Sequence, residues 1–139
     1  MEEIIDILHR ENCSCVILSG GCITICRERG VKDLYRLLAD SSQTLHGAYI
    51  ADKVIGKGAA ALMILGGVSR VYADVVSEAA IGLFASSDIE ISYAEKVPAI
   101  INRAGTGICP VEQLCAQCAS AEECLPLIEI FLNPIDKKH

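Results

Sequence analysis

Apolar residues recur along this chain at two spacings, one typical of helices and one typical of strands. A helical spacing of isoleucine and leucine predicts an amphipathic first helix over Glu2–Arg10. Two short apolar runs follow, Cys13–Ser19 and Cys22–Arg27. Because only two glycines separate these runs, they predict a β-hairpin closed by a two-residue turn.

The register of this hairpin follows from its turn. A two-residue loop places Ser19 opposite Cys22, and pairing outward places Cys15 opposite Cys26. Strand alternation then puts all four hairpin cysteines on one face, and the other face is apolar as well. We therefore expect a strand pair buried on both faces, whose cysteines act as small apolar side chains beneath helices. A metal site and a cross-strand disulfide are the alternatives.

The rest of the chain alternates helices with strands. In order, the pattern predicts a helix over Gly30–Asp40, a loop over Ser41-Ser42-Gln43, a long helix over Ala48–Leu65 ended by Gly66-Gly67, a strand over Val68–Val76, a helix over Ser77–Ser86 capped by Ser77, a strand over Asp88–Tyr93 and a short strand at Ile100-Ile101. Two more helices start at Cys109-Pro110 and at Ser120, and Pro126 either kinks the last helix or marks a restart near Leu125. This order predicts one domain, 1–139, with a three-layer α/β/α fold around a mixed sheet that opens with the hairpin.

Composition narrows the class of protein. The chain has 139 residues, 52% of them apolar, and a formal net charge of −6. An acidic balance argues against nucleic-acid binding, and the longest uncharged run is too short for a membrane span. The acidic start lacks the basic segment of an export signal, so we expect a cytoplasmic protein with reduced thiols. The high apolar content is consistent with self-association into a homodimer.

Candidate chemistry lies where helices follow strands, since ligands of open α/β sheets bind beyond the carboxyl ends of the strands. Three predicted helix starts supply polar side chains, and we take them as ligand-binding candidates: Asp52, Lys53 and Lys57; Ser77 and Glu78; Asn102 and Arg103. Lys53 and Lys57 lie on one face of the predicted Ala48–Leu65 helix, and the carboxylate of Glu78 is expected across a crevice from them. Snorkelling lysines and a simple helix cap explain the same residues without a ligand.

The second group of cysteines is Cys109, Cys115, Cys118 and Cys124. Cys115 and Cys118 are spaced to face the core from one side of a helix, so packing is the first interpretation. The alternatives are a metal site formed by all four and a dithiol redox motif. At a helix start, Cys109 is the thiol expected to be most reactive. No cofactor is predicted, because the chain lacks a Walker loop and a complete dinucleotide fingerprint.

A hairpin followed by alternating helices and strands resembles the cytidine-deaminase-like superfamily. More closely, the segments Ala51–Ala60, Ser77-Glu78, Val97-Pro98, Asn102-Arg103 and Cys109–Glu112 are similar to a small bacterial family of unknown function with that fold. A zinc deaminase needs H-x-E at one helix start and P-C-x-x-C at the next. The corresponding positions here are Ala51-Asp52-Lys53 and Val76–Ala80, so the resemblance implies the fold without the zinc site.

Three functions remain. The first is binding of a small anionic metabolite or nucleotide, with Lys53, Lys57 and Arg103 opposing its charge. The second is a metal-independent enzyme that uses Lys57 and Glu78, or Cys109, for acid–base or nucleophilic chemistry. The third is a metal-binding or redox protein that uses the second group of cysteines.

Overall fold

The computed structural model describes residues 1–28, 31–102 and 104–133. In chain order, its elements are α1 (Glu2–Glu11), β1 (Cys15–Ser19), β2 (Cys22–Cys26), α2 (Lys32–Asp40), α3 (Ser42–Leu45), β3 (Tyr49–Ile55), α4 (Lys57–Gly66), β4 (Arg70–Ser77), α5 (Glu78–Phe84), β5 (Glu90–Val97), α6 (Pro110–Cys115) and α7 (Ala121–Leu132). No helix in these described stretches combines the length and the apolarity that crossing a bilayer requires. Gly30 and Arg103, which the sequence patterns included, lie outside the described residues.

The hairpin has the predicted register. Ser19 pairs with Cys22 and Cys15 pairs with Cys26, because Gly20 and Gly21 both adopt positive φ angles in the turn. The expectation of burial on both faces is wrong for β2, which is an edge strand whose outer apolar side chains, Ile23 and Ile25, are 41% and 39% exposed.

The shared face predicted for the four hairpin cysteines holds for the register of Cys15, Cys22 and Cys26 but is wrong for Cys13. Cys15 and Cys26 belong to the main core, whereas Cys13 packs with Ile4 and Leu8 of α1 on the opposite side of the sheet. Cys13 precedes the first residue of β1, so the alternation of the strand does not extend to it. Cys22 is exposed beside the turn.

The predicted helix over Ala48–Leu65 is the main error of the sequence analysis. Tyr49–Ile55 forms strand β3 in the middle of the sheet, and the helix begins only at Lys57, after Gly56. A buried apolar run fits a central strand as well as a helix, and pairing with strands on both sides decides between them. Lys53 and Lys57 therefore lie in different elements and do not share a helix face.

Five strands form one mixed sheet in the order β2-β1-β3-β4-β5. β3, β4 and β5 run parallel, and β1 is antiparallel to both of its neighbours. The predicted strand–helix–strand unit is present as β4, α5 and β5, and Ser77 caps α5 by accepting a hydrogen bond from the Ala80 N–H at 3.1 Å. The parallel strands end at the same edge of the sheet, where α4 and α5 begin.

Helices cover both faces of the sheet. In the described part of the chain, α1 packs on one face, and α4 lies at the centre of the other, in contact with α2, α3, α5, α6 and α7. α4 is buried over most of its surface, which explains why nearly all its residues are small or apolar. The predicted loop at 41–43 is instead part of the short helix α3, and α7 continues through Pro126. The result is an α/β fold with a mixed five-stranded sheet.

Candidate functional site

A cleft of about 860 Å³ opens at the end of β3, where α4 begins. The hairpin forms one wall through the start of β1 and the end of β2, and the segment from Ile100 to the first turn of α6 forms the other. Among the described residues, four acidic side chains line it, together with two basic side chains and four thiols: Glu28, Asp33, Asp52 and Glu112; Arg27 and Lys53; Cys13, Cys15, Cys26 and Cys109. This position agrees with the expectation that a site lies beyond the carboxyl ends of the parallel strands.

Three of these side chains form a row across neighbouring strands, which we call the cleft row: Cys26 of β2, Cys15 of β1 and Asp52 of β3. Cys15 is directly opposite Cys26 on one side and directly opposite Asp52 on the other. Paired residues of antiparallel strands point to the same face, so all three side chains lie together. They are 5%, 4% and 8% exposed, respectively, and all three line the cleft.

Burial raises the pKa of Asp52 from 3.8 to about 7. The backbone N–H groups of Val54 and Lys53 donate to its carboxylate and partly oppose this rise, and the charge of Asp74 adds to it. The pKa of Cys15 also lies well above its usual value, first because its thiol is hydrogen-bonded to Cys26 and then because it is buried beside Asp52. The cleft row thus contains a carboxyl group that can exchange a proton near neutral pH.

The side-chain carboxylate of Glu112, from α6, binds at the amino-terminal end of α4. Its Oε1 accepts a hydrogen bond from the Lys57 backbone N–H at 2.7 Å, and its Oε2 accepts one from the Ile100 N–H at 2.9 Å. The carboxylate therefore fills the place that a helix N-terminus offers to an anion. Gly58, in the same turn, lies so close to α6 that a Cβ atom there would overlap the Val111 side chain.

The ammonium group of Lys57 points away from the cleft. It donates to the carbonyl oxygens of Cys118 at 2.5 Å and Ala116 at 3.3 Å, just beyond the carboxyl end of α6, and the residue is 8% exposed. Lysine pairs well with the free carbonyls at a helix end, so this contact stabilises α6. Sequence reasoning assigned Lys57 to a ligand because it placed the lysine on a longer helix.

The other predicted site residues are divided between the cleft and its surroundings. Lys53 and Asn102 line the cleft, and the Lys53 ammonium donates to the side-chain oxygen of Asn12. Ser77 is buried as the cap of α5 and Glu78 is exposed in its first turn, and neither contributes to the cleft lining. The predicted Lys57–Glu78 pair therefore does not face across this cleft.

The second group of cysteines separates into one thiol and three. Cys109 lines the cleft at the start of α6, half-buried. The other three are hydrogen-bonded to one another between α6 and α7, and we call them the thiol cluster: Cys115, Cys118 and Cys124. Burial is the main cause of the raised pKa values of Cys115 and Cys124.

The described residues include all eight cysteines, each of them a free thiol. Within that part of the chain, no group of three or more His, Cys, Asp or Glu side chains is arranged to hold a metal ion. The sequence analysis compared Ala51-Asp52-Lys53 with the H-x-E motif, but these residues lie in β3. The helix after β3 begins at Gly56-Lys57-Gly58, and this segment also lacks H-x-E.

Sequence reasoning missed the cleft row and the role of Glu112. The Cys15–Cys26 pair followed from the hairpin turn, but Asp52 joins it only when Tyr49–Ile55 is a strand antiparallel to β1. The start of α6 was recognised from Pro110, yet the contact of Glu112 with a backbone 55 residues away leaves no local signal.

Comparison with known proteins gives a family but no activity. Residues 3–132 match the model of a family described as "TM1506: Domain of unknown function (DUF1893)". The chain is also similar to a crystal structure of a DUF1893 family protein from Thermotoga maritima, with a TM-score of 0.83 and 26% identity over 91% of this chain and 86% of that one. No curated protein matches the chain.

Proposed function

For this chain, which belongs to the DUF1893 family, we propose a function in binding a small molecule that presents cationic or N–H donor groups to Asp52 in the cleft. The observation that carries the proposal is a carboxyl group, 8% exposed, in the lining of a cleft of about 860 Å³. Clefts of this size accommodate small organic ligands. A carboxylate forms charge-assisted hydrogen bonds with donors, and these are stronger than hydrogen bonds between neutral groups.

The charges of the cleft favour a donor over an anion. Its described lining carries four acidic and two basic side chains. Arg27 is already paired with Glu11 at 3.3 Å, and Lys53 donates to Asn12. The amino-terminal end of α4 already holds the Glu112 carboxylate, and the Lys57 ammonium is bound to two carbonyls outside the cleft. These contacts engage both lysines of the anionic site predicted from Lys53, Lys57 and Arg103. Among the acidic lining residues, Asp33 and Glu28 are likewise paired with Arg36, at 3.1 and 3.8 Å, so the donor proposal rests on Asp52.

Scanning fluorimetry of the full chain tests the proposal at pH 8, where Asp52 is ionised. The probes are agmatine and cytosine as N–H donors, and adenosine monophosphate and citrate as anions. We expect a donor to raise Tm by about 3 °C at a concentration several times its Kd. The shift is expected to shrink at pH 6, where Asp52 is mostly protonated, and to vanish in Asp52→Asn.

The matched control is Asp88→Asn, which removes an exposed carboxylate from a loop outside the cleft lining. This variant should keep the full shift. Stabilisation by the anions alone, or a donor shift that survives in Asp52→Asn, would contradict the proposal and return the anionic ligand to first place.

A second candidate is nucleophilic chemistry at Cys109, because this thiol lines the cleft at a helix start. Iodoacetamide labelling at pH 7, followed by peptide mapping, compares it with the exposed thiol of Cys22. Faster labelling of Cys109, despite its lower exposure, would support a reactive nucleophile. Slower labelling would leave it a packed thiol.

We also infer that the fold has the cytidine-deaminase-like arrangement. The α4, β4, α5, β5 succession after the hairpin supports this inference, because it matches the alternation on which the resemblance was based, and β3 is an additional strand that the sequence patterns had assigned to the helix. Neither helix start, Gly56-Lys57-Gly58 or Val76–Ala80, carries the zinc-binding motif of the deaminases. A binding role in a cleft without that motif is consistent with such a fold.

A further inference from the structure

The cleft row brings together two thiols and a carboxyl group in a fixed order. Cys15 lies between Cys26 and Asp52, each of them directly opposite it on a neighbouring strand. All three residues belong to the cleft lining, although Cys15 and Cys26 are only 4% and 5% exposed. Packing alone does not require a carboxyl group beside a buried thiol pair.

We propose that the cleft row is a dithiol–disulfide exchange site, in which Cys26 attacks a small disulfide, Cys15 resolves the product and Asp52 accepts the Cys15 proton. The inference goes beyond binding, because it assigns a reaction to the thiols of Cys15 and Cys26, which the binding proposal does not use. The two proposals share only the cleft and Asp52.

The geometry permits the bond that this reaction must form. Directly paired residues of antiparallel strands have Cα atoms about 4.5–5.5 Å apart. A disulfide requires a Cα separation of about 4.4–6.8 Å. Cys15 and Cys26 are also hydrogen-bonded to each other, so their side chains already point together. The pairing of β1 with β2 therefore places the two cysteines within the range of separations that a disulfide spans.

The order of the three groups assigns their roles. Cys15 is hydrogen-bonded to Cys26, and this bond is the largest cause of the raised pKa of Cys15. Because Cys15 is the sulfur placed between Cys26 and Asp52, we assign Cys15 the resolving role and Cys26 the attack on the small disulfide. Cys15 then needs a base, and Asp52 lies on its other side with a pKa of about 7.

The reaction balances with a disulfide RSSR as the oxidant. The Cys26 thiolate attacks one sulfur, forming a Cys26–SR bond while the S–S bond of RSSR breaks and RS⁻ leaves. Asp52 takes the proton of Cys15, whose sulfur attacks Cys26 and displaces the second RS⁻. The leaving thiolates take up the two protons of the original thiols. Two electrons pass from the dithiol to RSSR, giving the Cys15–Cys26 disulfide and two RSH.

The acidic lining favours a cationic disulfide, so cystamine is the probe and oxidised glutathione, which is anionic, is its comparison. The reduced full chain is treated with each at pH 7, quenched by alkylation and mapped by mass spectrometry. We expect cystamine to convert Cys15 and Cys26 into one disulfide, at least about tenfold faster than oxidised glutathione does. In Cys15→Ala, the reaction should stop at a Cys26–cysteamine mixed disulfide.

Asp52→Asn tests the base separately. Since a positioned base contributes on the order of 100-fold or more to proton transfer, resolution should slow by at least about tenfold and the mixed disulfide should accumulate. The control Cys22→Ala removes an exposed thiol and should react like the wild type. Mapping of the wild-type protein keeps the test valid if a cysteine variant does not fold.

Three outcomes would overturn the inference. Cys15 and Cys26 could stay reduced while Cys22 or Cys109 is modified, Cys26 could pair with Cys13 instead, or Asp52→Asn could resolve at the wild-type rate. Reversible binding of agmatine or cytosine without this disulfide would support the binding proposal and contradict the exchange proposal. A Cys15–Cys26 disulfide without any thermal shift from a donor would support the exchange proposal and contradict the binding proposal.

Discussion

The cleft row and the thiol cluster place cysteines in similar packing but in different chemical surroundings. In both, thiols are hydrogen-bonded to one another and burial contributes to their raised pKa values. The cleft row adds a carboxyl group and lines a cleft, whereas the thiol cluster lies between two helices beside the Lys57 ammonium, whose charge slightly lowers the pKa of Cys115. The comparison predicts that, of two buried groups of thiols, the one with a carboxyl group beside it and a cleft in front of it is the reactive one.

Glu112→Ala is expected to have the largest effect on stability, because Glu112 links the start of α4 to the segment at Ile100, between the cleft row and the thiol cluster. Its carboxylate satisfies the Lys57 and Ile100 N–H groups, and its loss leaves both unpaired. We expect the free energy of unfolding to fall by about 4 kcal/mol, measured by urea denaturation. Glu112→Gln retains one acceptor oxygen and should lose about half as much. Equal losses would mean that charge, not hydrogen bonding, sets the effect.

Asp52→Asn should change how stability depends on pH. The folded pKa of about 7 lies above the value of 3.8 expected without burial, so the folded state retains a proton that the unfolded state releases. Stability from this group is full below about pH 4 and is lost as pH rises to 7. Between pH 5 and pH 8 the wild type should lose about 3 kcal/mol that Asp52→Asn does not lose. Parallel pH profiles in urea denaturation would contradict the buried state of this carboxyl group.

Lys57→Met tests whether Lys57 stabilises the end of α6 beside the thiol cluster or contributes to ligand binding in the cleft. Removing the ammonium leaves the Ala116 and Cys118 carbonyls without their donor, so we expect a loss of about 2 kcal/mol in stability. Lys53→Met is the matched control, since Lys53 is half-exposed and donates to Asn12, and its cost should stay within about 0.5 kcal/mol. Agmatine binding should survive in Lys57→Met once the fraction folded is accounted for.

Cys124→Ala is expected to have the smallest effect. The side chain is fully buried, and removing its sulfur leaves a small cavity that costs about 1 kcal/mol. Cys22→Ala, at an exposed position, should be neutral within about 0.5 kcal/mol. If Cys124→Ala also abolished cystamine-driven disulfide formation at Cys15, the two regions would be coupled rather than separate.

The sequence predicted the local features of this fold better than its long-range pairings. The hairpin register and the Ser77 cap were confirmed because each depends on a few adjacent residues. Strand β3 was mistaken for a helix because its strand conformation depends on pairing with β1 and β4, and this pairing leaves no signal in the local sequence. That one error moved Asp52 to a helix start and hid its place beside Cys15.

The candidate site could be located only in outline. The rule for parallel strands was applied to helix starts, one of them in the segment that forms β3, and three of the residues it suggested, Asp52, Lys53 and Asn102, line the cleft. The roles of Lys57 and Glu112 depend on contacts across 55 to 61 residues of sequence, which no spacing rule encodes.

The bare backbone of Gly58 has a consequence for the size of molecule that the cleft admits. Since even a methyl group at Gly58 would overlap the Val111 side chain, α4 and α6 are in close contact at this position. A ligand too wide for the cleft therefore meets a fixed contact at Val111 and, on the opposite wall, a hairpin whose outer strand has a sheet neighbour on one side only. Binding measured along a series of amines of increasing bulk would thus report how readily that hairpin yields.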